Sequence, residues 1–475
     1  MMKTYPLYLN GAFEPTTPAW DVVNPATGEP FAQVCTIDRG RLAQAIADAH
    51  DAFAGWRQLT AKARGEYLRR IAAEVERRRD ELARLISSEN GKPLAQSQGE
   101  ISMTVDHLAW FAEEGRRAYG RIIPPQAEGK RNLVIKTPIG VVGAISPWNF
   151  PLVLAVRKVA PALAAGCTVV LKPARQTPLS CLVFAECAHA AQLPKAVLQV
   201  VCGPSNQFGE EFLQNPLCRK VTFTGSTEVG RILIRNAAET IKPLSLELGG
   251  NAPLLVFDDA DLKVAVEGAL LAKMRNTGQS CIASNRLLVH RPIYEKFLEA
   301  FVARVNALKV GEFSEPGVEI GPLIDQAAFE HAHQMVDHAL QRGARLLCGG
   351  RRLQRKGFFY QPTVLADVAH DSLCLRQEIF APVAPVMAFD TEEEAIRLAN
   401  DTAYGLSAYV FTRDVGRIFR LSEALEAGMI GVNDGLPTTS NAPFGGVKQS
   451  GWGRELGSEG LDAFLETKHI SLGLS

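Results

Sequence analysis

The sequence predicts an α/β protein made of two consecutive parallel-sheet units, with further extended segments that belong to neither. Three observations carry this expectation. Between about 141 and 238, short apolar runs alternate with helical patterns, and such alternation gives a parallel sheet covered on both faces, with ligands at the carboxyl ends of the strands. A second series of the same kind begins after Glu247 and continues to about 433. At 475 residues the chain is too long for a single core.

Taken in order, Leu7-Tyr8-Leu9 and Ala12-Phe13 flank Asn10-Gly11, a hairpin dipeptide in which both residues accept positive φ. Asn24-Pro25-Ala26-Thr27-Gly28 makes a second turn. Three amphipathic segments follow, 39–55, 61–88 and 95–119, with apolar residues at three- and four-residue spacing and Asn90-Gly91 closing the second. They are expected to pack on one face of a sheet. In the first parallel unit the strands fall near 141–146, 167–171, 197–202 and 220–224, and the helices near 152–165, 178–191, 205–213 and 227–238, a nucleotide-binding architecture. The second opens with strand 252–257, helix 261–274, strand 286–290 and helix 292–307. Residues 131–136 and 463–472 fit neither unit; extended segments that leave a domain commonly pair with another copy of the chain.

Lys plus Arg equals Asp plus Glu, 51 against 51, so no global field draws a polyanion, and neither nucleic acid nor a membrane is an expected partner. The basic run Arg77-Arg78-Arg79 lies between Glu76 and Asp80 at helical spacing, a solvated helix face. Nine cysteines are scattered without CxxC or Cys/His spacing, which indicates a reducing compartment and no metal site. The N-terminus lacks a signal-like apolar run, and the most apolar stretch, 152–171, is interrupted by Arg157, Lys158 and Pro161. A cytoplasmic location is expected.

Two stretches carry candidate chemistry. Asn276-Thr277-Gly278-Gln279-Ser280-Cys281 offers a thiol after a Gly-containing turn, and Leu246-Glu247-Leu248-Gly249-Gly250 a carboxylate at the end of an apolar run. The pairing suits nucleophilic attack followed by hydrolysis. No GxGxxG stands where a conventional dinucleotide fingerprint needs it, and there is no Walker Lys-Ser/Thr. Instead Phe223-Thr224-Gly225-Ser226-Thr227-Glu228-Val229-Gly230 follows a strand and opens a helix, whose free N–H groups can receive a pyrophosphate.

Both stretches resemble signatures of the aldehyde dehydrogenase superfamily, as do Ile145-Ser146-Pro147-Trp148-Asn149-Phe150-Pro151, Leu171-Lys172-Pro173 and Gln377-Glu378-Ile379-Phe380-Ala381-Pro382. The resemblance extends from the Asn24 turn to Pro443-Phe444-Gly445-Gly446 and the following residues to Gly451, and is nearest to the succinate-semialdehyde-oxidising branch. It implies two Rossmann-like α/β domains with a β oligomerisation arm: 1–119 with 142–247 for the dinucleotide, 248–433 for the nucleophile, and 120–141 with 434–475 as bridging segments of a homodimer or homotetramer. It also implies cofactor contacts from Ser146, Trp148, Lys172, Gly225, Ser226, Gly230, Glu378 and Phe380, with no metal required.

The implied chemistry is NAD(P)-dependent aldehyde oxidation. Cys281 attacks the aldehyde, Asn149 and the Cys281 N–H stabilise the oxyanion, and Glu247 activates the water that hydrolyses the thioester. Arg157 and Arg275 match carboxylate-binding arginines, and a guanidinium grips a carboxylate bidentately; Thr438 and Thr439 lie where a hydroxyl completes that site. Succinate semialdehyde is the expected substrate. Two arginines specify an anion and not its length, so 2-oxoglutarate semialdehyde, glutarate semialdehyde and a sulfonated aldehyde stay open, as does an inactive scaffold of the same fold. Position 283 is Ala, so Cys281 has no disulfide partner two residues on. Arg175 stands where NAD-preferring relatives carry Glu, which favours NADP, with Lys172 and Arg175 as phosphate partners.

Overall fold

Residues 2–474 are described by a computed structural model. Within them the first sheet has eight strands in the order Gly451–Trp452, Leu244–Glu247, Cys218–Thr224, Val141–Ile145, Thr168–Lys172, Leu198–Val200, Leu7–Leu9 and Ala12–Glu14. Pairing is parallel from Leu244–Glu247 to Leu198–Val200, and antiparallel at both edges. The strand order reverses beside Val141–Ile145, which opens a crevice at its carboxyl end. The predicted hairpin forms the far edge, with Asn10 at φ 46° and Gly11 at φ 80°.

The second sheet has seven strands: Arg345–Cys348, Thr363–Ala366, Val383–Phe389, Ser284–His290, Ala252–Val256, Ser407–Phe411 and Met429–Val432. All of its pairings are parallel except the one made by Arg345–Cys348. Its buried strands read as continuous apolar runs because helices cover both faces.

Three expectations change. Segment 61–88 is two helices, Ala61–Arg77 and Arg79–Asn90: Arg78 leaves helical geometry at φ −102°, ψ 18°, and its guanidinium reaches Glu81 and Glu186. Apolar spacing does not register a one-residue kink. Of the N-terminal helices only Arg39–Trp56 packs chiefly on the first sheet; Ala61–Arg77 and Leu94–Glu114 stack on helix Pro151–Ala165 and on each other. Helix Pro151–Ala165 thus lies between the sheet and a further helical layer, and every one of its residues is buried. Finally, the bridging segment 434–475 gives the first sheet an edge strand, Gly451–Trp452, which pairs with Leu246 and Glu247. Two residues are too few for a side-chain pattern to reveal a strand.

Lys130–Pro138 pairs antiparallel with Leu465–Gly473 along its length and with Arg121–Ile123 on its other side, forming a separate three-stranded sheet. The two extended segments therefore meet within one chain. No helix among the described residues is long and apolar enough to cross a membrane.

Candidate active site

The turn that carries Cys281 is held in a conformation that side chains disfavour. Helix Leu262–Met274 ends at Arg275, after which Asn276 (φ 51°), Thr277 (φ 59°) and Gly278 (φ 74°) are all left-handed. Such a conformation costs about 1–2 kcal/mol at each non-glycine residue and persists only when neighbours impose it. Here they do. The Asn276 N–H donates to Gln96 Oε1 at 2.7 Å, and its Nδ2 to the Asn149 carbonyl at 2.8 Å. The Thr277 hydroxyl accepts from the Gly321 N–H at 3.1 Å, and Gln279 Oε1 from the Ile324 N–H at 2.8 Å. A Cβ at Gly278 would stand 2.2 Å from the Ala381 carbonyl, and one at Gly250 would stand 2.1 Å from that of Cys281. Behind the nucleophile, the buried Tyr409 hydroxyl donates to the Ile282 carbonyl at 2.6 Å.

Cys281 is partly exposed and lines two cavities at once. The larger is a groove of about 610 Å³ along the carboxyl ends of the first sheet, bringing together Ser146, Trp148, Asn149, Lys172, Arg175, Gly225 and Ser226, with Glu378 and Phe380 contributed from the second unit. Ser226 caps helix Thr227–Ala237, accepting from the Val229 N–H at 3.3 Å. Gly230 lies one turn into that helix and outside the groove lining, where a Cβ would meet Leu248 at 2.6 Å. Among the described residues buried Lys172 donates only to the Pro173 carbonyl, at 3.3 Å, and desolvation lowers its pKa. Arg175 is exposed at the rim, its guanidinium 5.2 Å from the Trp20 ring. Phe380, at φ 50°, packs edge-on against Trp148 at 5.4 Å. Glu378 accepts from the Gly250 N–H at 3.1 Å, and burial pushes its carboxyl up to about 7. An unpaired ammonium and a capped helix N-terminus opening into one long groove fit a dinucleotide.

The smaller cavity is a chamber of about 30 Å³ lined by Arg157, Arg275, Thr438, Phe150 and Phe444 together with Cys281. The Arg157 guanidinium lies 4.4 Å from the Phe444 ring and that of Arg275 4.7 Å from the Phe150 ring. Among the described residues Arg157 Nε has no hydrogen-bond partner, and Arg275 reaches only the Met103 sulfur at 3.9 Å. Among the described residues neither arginine forms an ion pair, and desolvation lowers both pKa values. The Thr438 hydroxyl is also buried without a partner. Thr439 is exposed, bonded to Asn441 and outside the chamber.

Glu247 ends its strand in a buried pocket, with Oε2 unpartnered by the protein and so little room that a Cβ at Gly445 would stand 2.8 Å from Oε1. Burial, and then the neighbouring Glu455, hold its carboxyl well above the usual range, opposed by Lys158. Lys158 Nζ donates to Glu455 Oε1 at 2.5 Å and to Thr224 Oγ1 at 2.7 Å. Sequence reasoning missed Lys158, Glu455 and the buried Lys92–Glu100 pair. For Lys158 a signal existed, since it interrupts the most apolar stretch of the chain. Among the described residues, no three His, Cys, Asp or Glu side chains cluster to hold a metal ion.

Residues 13–470 match the Aldehyde dehydrogenase family. The chain belongs to that family. This aldehyde dehydrogenase is 48% identical over 456 residues to the NADP-dependent succinate-semialdehyde dehydrogenase of Escherichia coli K12, covering 96% of this chain and 95% of that one. It is likewise 48% identical to the 3-sulfolactaldehyde dehydrogenase of Pseudomonas putida, over 95% of this chain and 93% of that one. Its fold superposes on the crystal structure of the succinate-semialdehyde dehydrogenase from Burkholderia pseudomallei with a TM-score of 0.97, at 47% identity, covering 99% and 98% of the two chains.

In the aldehyde dehydrogenase Cys281 rests as a thiol. Burial, with Glu378 nearby, pushes Cys281 up to about 12, although Arg157 pulls it back. The reactive thiolate therefore increases with pH throughout the neutral range. Alkylation of Cys281 by iodoacetamide in the cofactor-free enzyme should rise about tenfold per pH unit from about pH 7 to 9. Rates measured by peptide mass spectrometry check this, and a plateau below about pH 8 would contradict the protonated resting state.

Proposed function

We propose that this aldehyde dehydrogenase oxidises a small anionic semialdehyde, succinate semialdehyde to succinate in first place, with NADP preferred over NAD. The reading is carried by two guanidinium groups, buried Arg157 and partly buried Arg275, that share a chamber with the Cys281 thiol and form no ion pair among the described residues. A buried cation without a partner is costly, and a substrate carboxylate supplies what is missing. Gripped there, it leaves the aldehyde carbon of a short chain over the thiol. The same cations complement a sulfonate, the group implied by the name of the Pseudomonas putida relative; relative kcat/KM on the two aldehydes separates these readings.

In this scheme the Cys281 thiolate adds to the aldehyde carbon to give a thiohemiacetal. Its oxyanion receives N–H donors from the Asn149 side chain and the Cys281 backbone, each worth about 2.7–4 kcal/mol of barrier. Lys172, Arg175, Ser226 and Glu378 would hold the nicotinamide cofactor, which would accept the hydride lost by the thiohemiacetal carbon. Cys281 is left acylated as a thioester. Glu247, once ionised, takes the proton of the water that attacks this thioester, releasing the dicarboxylate and the free thiol.

The same reading assigns 1–119 with 142–247 to the cofactor and 248–433 to the nucleophile, and puts the protein in the cytoplasm, where free thiols persist. It also makes the enzyme a homo-oligomer joined through the three-stranded sheet, whose outer strands offer edges and whose Ile122 and Leu472 side chains are exposed.

Arg157→Ala and Arg275→Ala should each lower kcat/KM for succinate semialdehyde roughly tenfold to a hundredfold, the loss of a charge-assisted bond of about 1.5–3 kcal/mol. Butyraldehyde, which lacks the second anionic end, should be affected far less. Steady-state kinetics on both aldehydes checks this, and equal losses would assign the arginines to structure alone.

For the cofactor, Arg175→Glu should shift the kcat/KM ratio towards NAD, because a carboxylate accepts from ribose hydroxyls and repels a 2′-phosphate. A wild-type enzyme that binds NAD much more tightly than NADP, and a variant that leaves the ratio unchanged, would remove Arg175 from the cofactor site.

A further inference from the structure

The loop carrying Asn149 is held from behind by its backbone carbonyls. Asn90 Nδ2 and the Thr177 hydroxyl both donate to the Trp148 carbonyl at 3.1 Å. The Asn149 carbonyl receives Asn276 Nδ2 at 2.8 Å, Lys92 Nζ at 2.8 Å and, more distantly, Asn90 Nδ2 at 3.4 Å. Asn276 belongs to the nucleophile turn and Lys92 to the junction of two N-terminal helices, so one oxygen atom joins three parts of the molecule. The Asn149 side chain completes the link, its Nδ2 donating to the Gln279 carbonyl at 3.1 Å.

Lys92 is an unusual choice for such a contact. Its side chain is fully enclosed with that of Glu100, the two meeting at 2.6 Å, and its ammonium lies 4.0 Å from the Phe150 ring. The other Glu100 oxygen accepts the N–H groups of Leu152 and Val153, at 3.0 and 3.2 Å, in the first turn of the helix that carries Arg157. A single buried ion pair therefore fixes both the backbone of Asn149 and the start of the Arg157 helix. Merely satisfying the Asn149 carbonyl does not require it, since Asn276 already donates there. Desolvating an ammonium is costly, and what it adds is a charged, enclosed and hence stiff hold on one atom.

We propose that Lys92, with Glu100 as its counter-ion, is a positioning residue of the reaction: by holding the Asn149 carbonyl it sets where the Asn149 side-chain amide stands relative to Cys281. The proposal rests on the reading of Asn149 as the oxyanion donor. An error of about 1 Å in such a group costs on the order of a hundredfold in rate, so the effect belongs in the acylation step and not in binding.

The test is a double-mutant cycle read by the pre-steady-state rate of NADPH formation with succinate semialdehyde. K92M/E100Q removes both charges together and keeps an oxygen for the Leu152 and Val153 N–H groups. It should slow that rate about tenfold to a hundredfold, with NADP affinity essentially unchanged. Added to N149A, which keeps the backbone carbonyl but lacks the amide, it should cost almost nothing more. If the double variant does not fold, K92R, which keeps the charge but moves the donor, is read in the same cycle. Losses that multiply when combined with N149A, or no loss at all, overturn the proposal for Lys92. An N149A enzyme that acylates at the wild-type rate overturns the reading of Asn149 itself, and the proposal with it.

Discussion

Arg157 and Arg275 line one small chamber inside the protein, and among the described residues no carboxylate forms an ion pair with either. Arg157 has no way out, because its helix is enclosed along its whole length between the first sheet and the helices stacked above it. The same burial acts on the candidate groups nearby. It drives Cys281 up to about 12, Glu378 to about 7 and Glu247 well above the carboxylate range. The site thus raises the cost of its own negative charge and leaves two guanidinium groups without a direct ion pair, although Glu100 acts on both from a distance.

The two sheets divide this work in opposite senses. In the first, groups converge from strand carboxyl ends: Asn149 follows Ile145, Lys172 ends its strand, Ser226 follows Thr224, and Glu247 ends the next. This is the rule for open α/β sheets. In the second, Cys281 precedes strand Ser284–His290, and Glu378 and Phe380 precede Val383–Phe389, so amino ends face the groove. The candidate catalytic residues meet across this junction, and the turn before Cys281 is bonded both to Asn149 of the first unit and to Gly321 and Ile324 of the second.

Much of this was legible in the sequence. Alternating apolar runs located both sheets and Asn10-Gly11 the hairpin, and the signature stretches singled out Glu247 and Cys281, which the fold brings to one site. What escaped follows from physics that one-dimensional patterns do not carry. Lys92, Glu100 and Glu455 look like solvated charges until tertiary packing encloses them in ion pairs, Lys92 with Glu100 and Glu455 with Lys158. The break at Arg78 leaves the apolar spacing intact, and strand Gly451–Trp452 is defined by backbone pairing rather than by side chains. Gly230, read as a neighbour of the pyrophosphate, instead makes room for Leu248.

The central claim is that a covalent acyl group on Cys281 waits for water activated by Glu247. Glu247→Gln fills the same space but cannot accept a proton, so acylation should outrun hydrolysis. Acid-quenched enzyme, mixed with NADP and succinate semialdehyde and then digested, should show a succinyl thioester accumulating on the Cys281 peptide, preceded by a burst of NADPH. Absence of the adduct, its appearance on another cysteine, or steady turnover at the wild-type rate would contradict the account.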